Sequence, residues 1–196
     1  MKHLNIQKLK SQLKKICKNK EIIDIILFGS VVKDKDNPND IDIAIILEKE
    51  DYSFVQEVSK EIKNLLDKKF HIEILTIDNL FKEPLYLTLI HEGFSIKNNQ
   101  FINKSLKTKS LVLVTYDLTI LNHSKKTLFG YALKGRKGEK GFLDEINGKI
   151  TGRNNVLVPT HKFEQLKDFL KTWKVEYTSQ RFLKVNTILW LSTNKI

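Results

Sequence analysis

The stretch Ile25–Leu47, IILFGSVVKDKDNPNDIDIAIIL, decides the fold of the first half of this 196-residue chain. It holds an apolar run, a Gly29-Ser30 break, a polar loop and a second apolar run that carries Asp40 and Asp42. Successive side chains of a strand alternate between its faces, so Asp40 and Asp42 are predicted to lie on the same face. Two carboxylates this close repel each other unless a divalent cation binds them or one of them keeps its proton.

Gly29 and Ser30 directly follow the first predicted strand. Backbone N–H groups and a hydroxyl at such a turn can hold phosphate oxygens, and the dipole of a short helix that starts there would favour the negative charge. Lys33 lies one turn beyond and can offer a cation to a triphosphate; the alternative is that Lys33 is simply exposed. A phosphate-binding turn beside two metal-binding carboxylates predicts chemistry on a magnesium nucleotide.

An apolar strand, Gly-Ser, nine residues and then Asp-Ile-Asp in a second apolar strand form a pattern that resembles the nucleotidyltransferase superfamily typified by DNA polymerase beta. The most similar branch is that of the minimal nucleotidyltransferases, and the resemblance covers roughly residues 4–96, which end in LIHEGFSI. It implies an α/β (α+β) domain with a short mixed sheet and flanking helices. It also implies that Asp40 and Asp42 are catalytic residues of a two-metal Mg²⁺ site, and that Gly29 and Ser30 bind an NTP, expected to be ATP.

Glu73 interrupts the apolar strand FHIEILTI, residues 70–77. A buried carboxylate is costly unless it is paired or bound to a metal. The resemblance places a third catalytic, metal-binding carboxylate at this point, although the family usually has aspartate there. Two interpretations stay open: Glu73 is that third carboxylate, or it is an exposed glutamate on a strand face shared with His71 and Leu75.

Apolar residues at helical spacing predict helices over Leu4–Cys17, Ser53–Leu66 and Leu80–His91. With the strands between them, these helices form a predicted nucleotidyltransferase domain of residues 1–96. Residues 97–109 are polar and basic and are predicted to be a linker.

The formal charge of +11 is unevenly distributed along the chain. Residues 1–105 hold 17 Lys and 16 Asp or Glu, whereas residues 106–196 hold 17 Lys or Arg and 7 Asp or Glu. Such a basic second half indicates a polyanionic partner; the alternative is a source organism whose proteins are generally rich in lysine. Predicted strands and helices follow one another over residues 110–196, which are therefore predicted to be a small basic α+β domain that binds nucleic acid or substrate.

Six of the eight glycines lie between Gly130 and Gly152. Glycines interleaved with cations are typical of a loop that follows a phosphate backbone, and an ordinary exposed hairpin is the alternative. The candidate nucleic-acid-binding residues among them are Lys134, Arg136, Lys137, Lys140, Lys149 and Arg153.

A hydrophobic fraction of 41% suffices for a packed core, and no apolar run approaches the ~20 residues that span a bilayer, so no membrane partner is expected. The single cysteine, Cys17, excludes an internal disulfide and a cysteine zinc site, and a reducing cytoplasm is the expected location.

Taken together, these features predict a magnesium-dependent enzyme that transfers an NMP from an NTP to a hydroxyl acceptor on RNA or another nucleic acid. Two alternatives remain open. One is an antitoxin-like enzyme that transfers AMP to a partner protein, and the other is a catalytically inactive nucleic-acid-binding regulator.

Overall fold

The computed structural model of the protein describes residues 6–32, 40–65 and 69–185. The chain divides into two compact units, residues 1–106 and 107–196. Among the described residues, no helix has both the length and the apolar character needed to cross a membrane.

The first unit is built on a mixed sheet. Its helices and strands are, in chain order, α1 (Ile6–Ile16), β1 (Ile22–Phe28), β2 (Asp40–Leu47), α2 (Tyr52–Lys63), β3 (Lys69–Thr76), α3 (Ile77–Leu80), α4 (Leu85–Glu92), β4 (Phe94–Ser95), β5 (Gln100–Phe101) and α5 (Ile102–Ser105). The strand order is β3-β2-β1-β4-β5, in which β2 and β3 are parallel and the other neighbours are antiparallel. The predicted mixed sheet with flanking helices is confirmed.

The central strand β2 is buried on both faces. Ile43 and Ile45 point into a core formed with α1 and α2, whereas Ala44 and Ile46 point into a second core that includes Leu89 of α4. A strand that is covered on both faces typically has a continuous apolar sequence, and the five residues after Asp42 form such a run. Only the beginning of β2, with its two aspartates, is left accessible.

The helix predicted over Leu80–His91 is two helices in the structure. Residues 81–84 separate α3 from α4, and Pro84 occupies the N-cap of α4. Proline lacks the backbone N–H of a helix interior and disfavours the helical conformation of the residue before it, so the helix restarts at Leu85. Gly93, in an extended conformation, then ends α4 and donates its N–H to the Leu89 carbonyl at 2.8 Å.

Residues 97–109, predicted to be a linker, instead hold β5, α5 and the start of the next strand. Two of their apolar residues, Phe101 and Ile102, pack on the cores of the first unit. The Phe101 ring packs edge-to-face on Phe94 with centroids 5.3 Å apart, and the Ile102 N–H donates to the Gly93 carbonyl at 2.9 Å. Two apolar anchors in a polar segment are enough to order it, and composition alone does not show them.

The second unit is an antiparallel sheet with helices. Its elements are β6 (Thr108–Asp117), α6 (His123–Lys134), α7 (Phe142–Glu145), β7 (Lys149–Gly152), β8 (Asn155–Pro159), α8 (Phe163–Thr172) and β9 (Glu176–Val185). The strand order is β7-β8-β6-β9. Apart from the one-turn helix α7, the chain order is βαββαβ, which is the ferredoxin-like arrangement. This is an α+β architecture, the class that the sequence predicts for the second half.

The described helices of the second unit all pack on one face of its sheet. Val112 and Val114 of β6 lie in a single core with residues of α6, α7 and α8. At its edge, the buried hydroxyls of Ser110 and Thr160 are hydrogen-bonded at 2.6 Å. Asn122 begins α6 by accepting the Lys125 N–H at 2.9 Å.

Candidate active site

Gly29 and Asp42 are in direct contact. Phe28 at the end of β1 pairs with Asp42 of β2, and the chain then enters a 3₁₀ turn, Gly29–Val32, in which Gly29 has φ +69°. A β-carbon at Gly29 would lie 2.0 Å from Asp42 Oδ2. Position 29 therefore requires glycine for two reasons: its backbone is left-handed, and the Asp42 carboxylate approaches it too closely to leave room for a β-carbon.

Asp40 and Asp42 lie on the same face at the beginning of β2, as predicted from their spacing. Asp40 is exposed, while 21% of the Asp42 side chain is accessible. Burial is the main cause that raises the pKa of Asp42 above its ordinary value, and the charge of Asp40 raises it further. The Asp42 carboxylate is thus held in a place where a negative charge is unfavourable until a cation approaches.

Glu92, at the last residue of α4, is an acid near the site that is not among the residues predicted from sequence. Its charge contributes to raising the pKa of Asp42. Leu89, one turn earlier, anchors α4 to the sheet face on which Asp42 lies. Nothing in the local sequence HEGF marks Glu92 as a site residue, because its proximity depends on how α4 crosses the sheet.

Ser30 links the turn to β2. Its hydroxyl donates a long hydrogen bond, 3.4 Å, to the backbone carbonyl of Asp40. A bond of this length is weak, so the hydroxyl can exchange it for a better acceptor at little cost. Gly29 and Ser30 are both partly exposed and flank the carboxylates, whereas Lys33 lies outside the described residues.

Glu73 lies on the same face as the aspartates. Strands β2 and β3 are parallel, with Ala44 opposite Glu73 and Asp42 opposite His71. The Glu73 side chain is 43% exposed, and its Oε1 lies 3.2 Å from Nε2 of His71. The register therefore places a third acid beside the pair, in contact with a histidine.

His71 stands between the second and third acids. Its Nδ1 is 3.6 Å from Asp42 Oδ1, so one imidazole contacts both carboxylates. The charge of His71, and its hydrogen bond, oppose the rise in the pKa of Asp42. No role was predicted for His71 from sequence, although its position two residues before Glu73 on one strand face was a usable signal.

The donor set suits a hard divalent cation. Carboxylate oxygens are the ligands that Mg²⁺ prefers, and the mutual repulsion of Asp40 and Asp42 is what such an ion would relieve. Within residues 6–32, 40–65 and 69–185, no three His, Cys, Asp or Glu side chains are already arranged around a common metal position. The fit therefore rests on the aspartate pair, with Glu73 close by on the same face.

The predicted nucleic-acid-binding cations lie in two parts of the second unit. Four of them belong to α6 and the glycine loop after it, namely Lys134, Arg136, Lys137 and Lys140. Lys149 begins β7, and Arg153 lies in the turn between β7 and β8. All six of these side chains are exposed.

The glycine loop, residues 135–141, is a closed turn. Gly135 (φ +83°) would place a β-carbon 2.0 Å from the Glu139 carbonyl, and one at Gly141 would lie 2.2 Å from the Gly135 nitrogen. The Arg136 guanidinium packs 4.6 Å from the centre of the Tyr131 ring. The glycines are therefore explained by the close approach of the loop to itself, and they leave its cations on the surface.

A glycine turn packed on a partly buried carboxylate, with a second carboxylate on the same strand face, is typical of sites for phosphoryl transfer with divalent metal ions. Residues 11–96 match the family model described as Polymerase beta, Nucleotidyltransferase. This part of the chain is a polymerase beta-like nucleotidyltransferase domain, as its resemblance predicted, and the match covers less than half of the 196 residues. A comparison with curated proteins gives no match.

Proposed function

We propose that the protein is a magnesium-dependent nucleotidyltransferase that transfers an NMP, expected to be AMP from ATP, to a hydroxyl of a nucleic-acid acceptor. The nucleotidyltransferase domain supports NMP transfer in general. The observation that carries the proposal is the contact between Gly29 and the Asp42 carboxylate, with Asp40 on the same face. A purely structural strand end gains no stability from two repelling acids packed against a glycine.

Asp40 and Asp42 would hold Mg²⁺, and Glu73 would complete a second metal position. The bound ions would neutralise the triphosphate and polarise the α-phosphate during in-line displacement of pyrophosphate. The backbone N–H groups at Gly29 and the Ser30 hydroxyl would hold phosphate oxygens, since Ser30 can release its long bond to Asp40. Lys33 follows that turn in the sequence and would add a cation.

Glu73 would also accept the proton of the attacking hydroxyl. Its side chain is partly exposed, which leaves it reachable by an acceptor, and its contact with His71 fixes its orientation. A carboxylate acting as general base needs this combination of access and fixed position.

The second unit supports a nucleic acid as the acceptor. Residues 107–196 contain 17 Lys or Arg and 7 Asp or Glu. A small molecule or a protein hydroxyl would not need a separate domain with this excess of positive charge.

The test is to incubate the purified full chain with Mg²⁺ and each α-labelled NTP, in the presence of total RNA and of a protein extract. The Asp40→Asn/Asp42→Asn double variant is the inactive control, and Glu48→Gln, an exposed acid just after β2, is the matched control. Label on RNA that needs both aspartates, but not Glu48, supports the proposal.

Label on a protein band would replace the nucleic-acid acceptor with a protein one. If wild type labels nothing and also fails to bind any NTP in the presence of Mg²⁺, the catalytic proposal is wrong and an inactive binding protein remains.

A further inference from the structure

The sheet of the second unit has one face that its described helices do not cover. Residues directly opposite each other on antiparallel strands point to the same face. Val112 and Val114 point toward the helices, so Leu111 and Leu113 point to the other side, together with the residues opposite them. We call this the open face, and it comprises alternate residues of β6 from Lys109 to Asp117, the residues directly opposite them on β8 and β9, and Lys149 of β7.

The centre of the open face is apolar. Phe182, Leu111 and Pro159 form one row across the sheet, and Gln180, Leu113 and Leu157 form the next. Phe182 is 38% exposed, and the two leucines of β6 are half-buried. The rows offer one aromatic ring and flat aliphatic area beside an amide that can hydrogen-bond.

The third row is polar. Thr178, Thr115 and Asn155 lie side by side, and the Thr115 hydroxyl donates to Asn155 Oδ1 at 2.6 Å. Hydroxyl and amide groups next to an apolar platform are the groups that bind the edges of bases whose faces are stacked.

The two ends of the open face carry opposite charge. Lys109 lies directly opposite Lys184 at one end, and Asp117 lies directly opposite Glu176 at the other. Like charges in directly opposed positions are unfavourable. Neither lysine forms an ion pair with a residue that the structure describes. The lysine pair is therefore suited to an external anion.

We propose that the open face binds single-stranded nucleic acid, with bases on Phe182 and the leucines of β6 and with phosphates at Lys109 and Lys184. This inference rests on the proposed function, since it identifies the surface that holds the acceptor. A single strand is required because only unpaired bases can lie flat on a sheet. The net charge of the unit favours a polyanion over an apolar protein partner.

The experiment measures binding of the full-length protein to fluorescent 12-nucleotide RNA and DNA single strands, by anisotropy over a range of KCl concentrations. Lys109→Gln/Lys184→Gln removes two open-face charges, and Lys125→Gln/Lys126→Gln removes two charges from α6 as the matched control. The first pair should weaken binding about tenfold and lower the salt slope by about 1.4, from roughly 0.7 per phosphate contact. The control pair should bind within about twofold of wild type.

Phe182 gives a second, charge-neutral test. Phe182→Ala should weaken binding about tenfold because one stacked base is lost. Phe182→Leu keeps an apolar side chain but removes the ring. If a base stacks on Phe182, this variant should bind the strand nearly as weakly as Phe182→Ala does. Circular dichroism and thermal unfolding establish that each variant is folded.

Two results would overturn the proposal. One is equal weakening by both lysine pairs, which would mean that binding follows net charge alone. The other is a wild-type protein that binds neither strand at low salt. Mg²⁺-dependent NTP binding, measured in parallel, separates this failure from failure of the proposed function: it would persist if only the open face were wrong. Tight, Phe182-dependent binding without any transfer would instead leave the open face supported and the enzyme rejected.

Discussion

The two sheets of this protein are covered in different ways. In the first unit, β2 is buried on both faces, by α1 and α2 on one side and α4 on the other. In the second, β6 is covered by the described helices on one face only. When both faces of a sheet are covered, functional side chains are accessible only at the ends of its strands. When one face is uncovered, side chains along the whole face can contact a ligand.

This difference predicts how function is distributed. In the first unit the candidate site lies at the strand ends, where Asp42 contacts Gly29. In the second unit, many weak contacts would share the binding of one ligand. Single substitutions should therefore have large effects in the first unit and graded effects in the second.

The largest expected effect is on catalysis by Asp42. Asp42→Asn removes a charge that would hold the metal ion, and a loss of several kcal/mol of transition-state stabilisation corresponds to about 10³-fold in rate. The measurement is NMP transfer under single-turnover conditions with the labelled acceptor found in the transfer assay.

Glu48→Gln provides the comparison for Asp42. Glu48 is exposed and lies one residue beyond the other end of β2, so its substitution should change the rate less than about twofold. Similar losses in both variants would show that general negative charge, and not the strand end, supports the reaction.

The next effect tests the coverage of the sheets directly. Ile45→Ala and Ile46→Ala alter opposite faces of β2, and both residues are almost completely buried, with 1% and 4% exposure. Each should lower the free energy of unfolding by about 2–5 kcal/mol. Hydrogen exchange of the β2 amides measures this without assuming that the two units unfold together.

In β6, substitutions on the two faces of the strand should lower the free energy of unfolding by different amounts. Val114→Ala removes methyl groups from the buried core and should cost about 2 kcal/mol, whereas Leu113→Ala on the open face should cost less than about 1 kcal/mol. Equal costs in β6 would mean that the open face is covered in solution.

A smaller effect compares two glycines with positive φ. Gly29→Ala should cost about 2 kcal/mol or more and displace Asp42, because its β-carbon would lie 2.0 Å from the carboxylate. Gly138→Ala, at φ +88° with no atom within 4 Å, should bear only the backbone cost of about 1–2 kcal/mol. Chemical denaturation measures the stability of both variants. In the transfer assay, Gly29→Ala should lose far more activity than Gly138→Ala. A fully active Gly29→Ala would refute the role of the contact between Gly29 and Asp42.

Much of the first unit could be predicted from sequence because its information is local. The alternation of Asp40 and Asp42 fixed their common face, and the Gly29-Ser30 break located the turn. The contact of Gly29 with Asp42 is a product of the β1–β2 register, which the spacing of nine residues does not reveal. Glu92 was missed for the same reason, since α4 brings it to Asp42 from a distant part of the chain. His71 is different, because its position two residues before Glu73 on one strand face was a usable signal.

The second unit was predicted only in outline. Composition indicated its charge and the glycine loop, and the sequence of predicted strands and helices indicated its α+β class. The open face was not visible, because half-buried leucines on β6 alternate with fully buried valines in one continuous apolar run. Whether the leucines or the valines of β6 face the helices depends on the side of the sheet to which the connecting helices cross. That side is set by tertiary structure and not by the local sequence.

The smallest expected effect is a gain in stability. Burial and the charge of Asp40 raise the pKa of Asp42 above its ordinary value of 3.8, so the ionised carboxylate destabilises the fold. At a pH below the ordinary pKa, the Asp42 carboxyl is protonated in both the folded and the unfolded chain, so it does not destabilise the fold. The destabilisation develops as the pH rises from the ordinary pKa through the higher pKa of the folded state. Asp42→Asn should therefore unfold at higher temperature than wild type at pH 7 in EDTA, and the difference should vanish in acid.

Asp51 provides a control of opposite sign. The Ser53 hydroxyl is the main cause that lowers the pKa of Asp51, and the backbone N–H groups of Phe54 and Ser53 act in the same direction. The ionised Asp51 carboxylate therefore stabilises the folded protein at pH values above its unfolded pKa, and this stabilisation is lost as the pH falls through the lower pKa of the folded state. Asp51→Ala should destabilise the protein at pH 7 and have less effect in acid. If Asp42→Asn instead melts below wild type at pH 7 without metal, the aspartate pair is not held against repulsion, and Asp42 supports the fold rather than a bound cation.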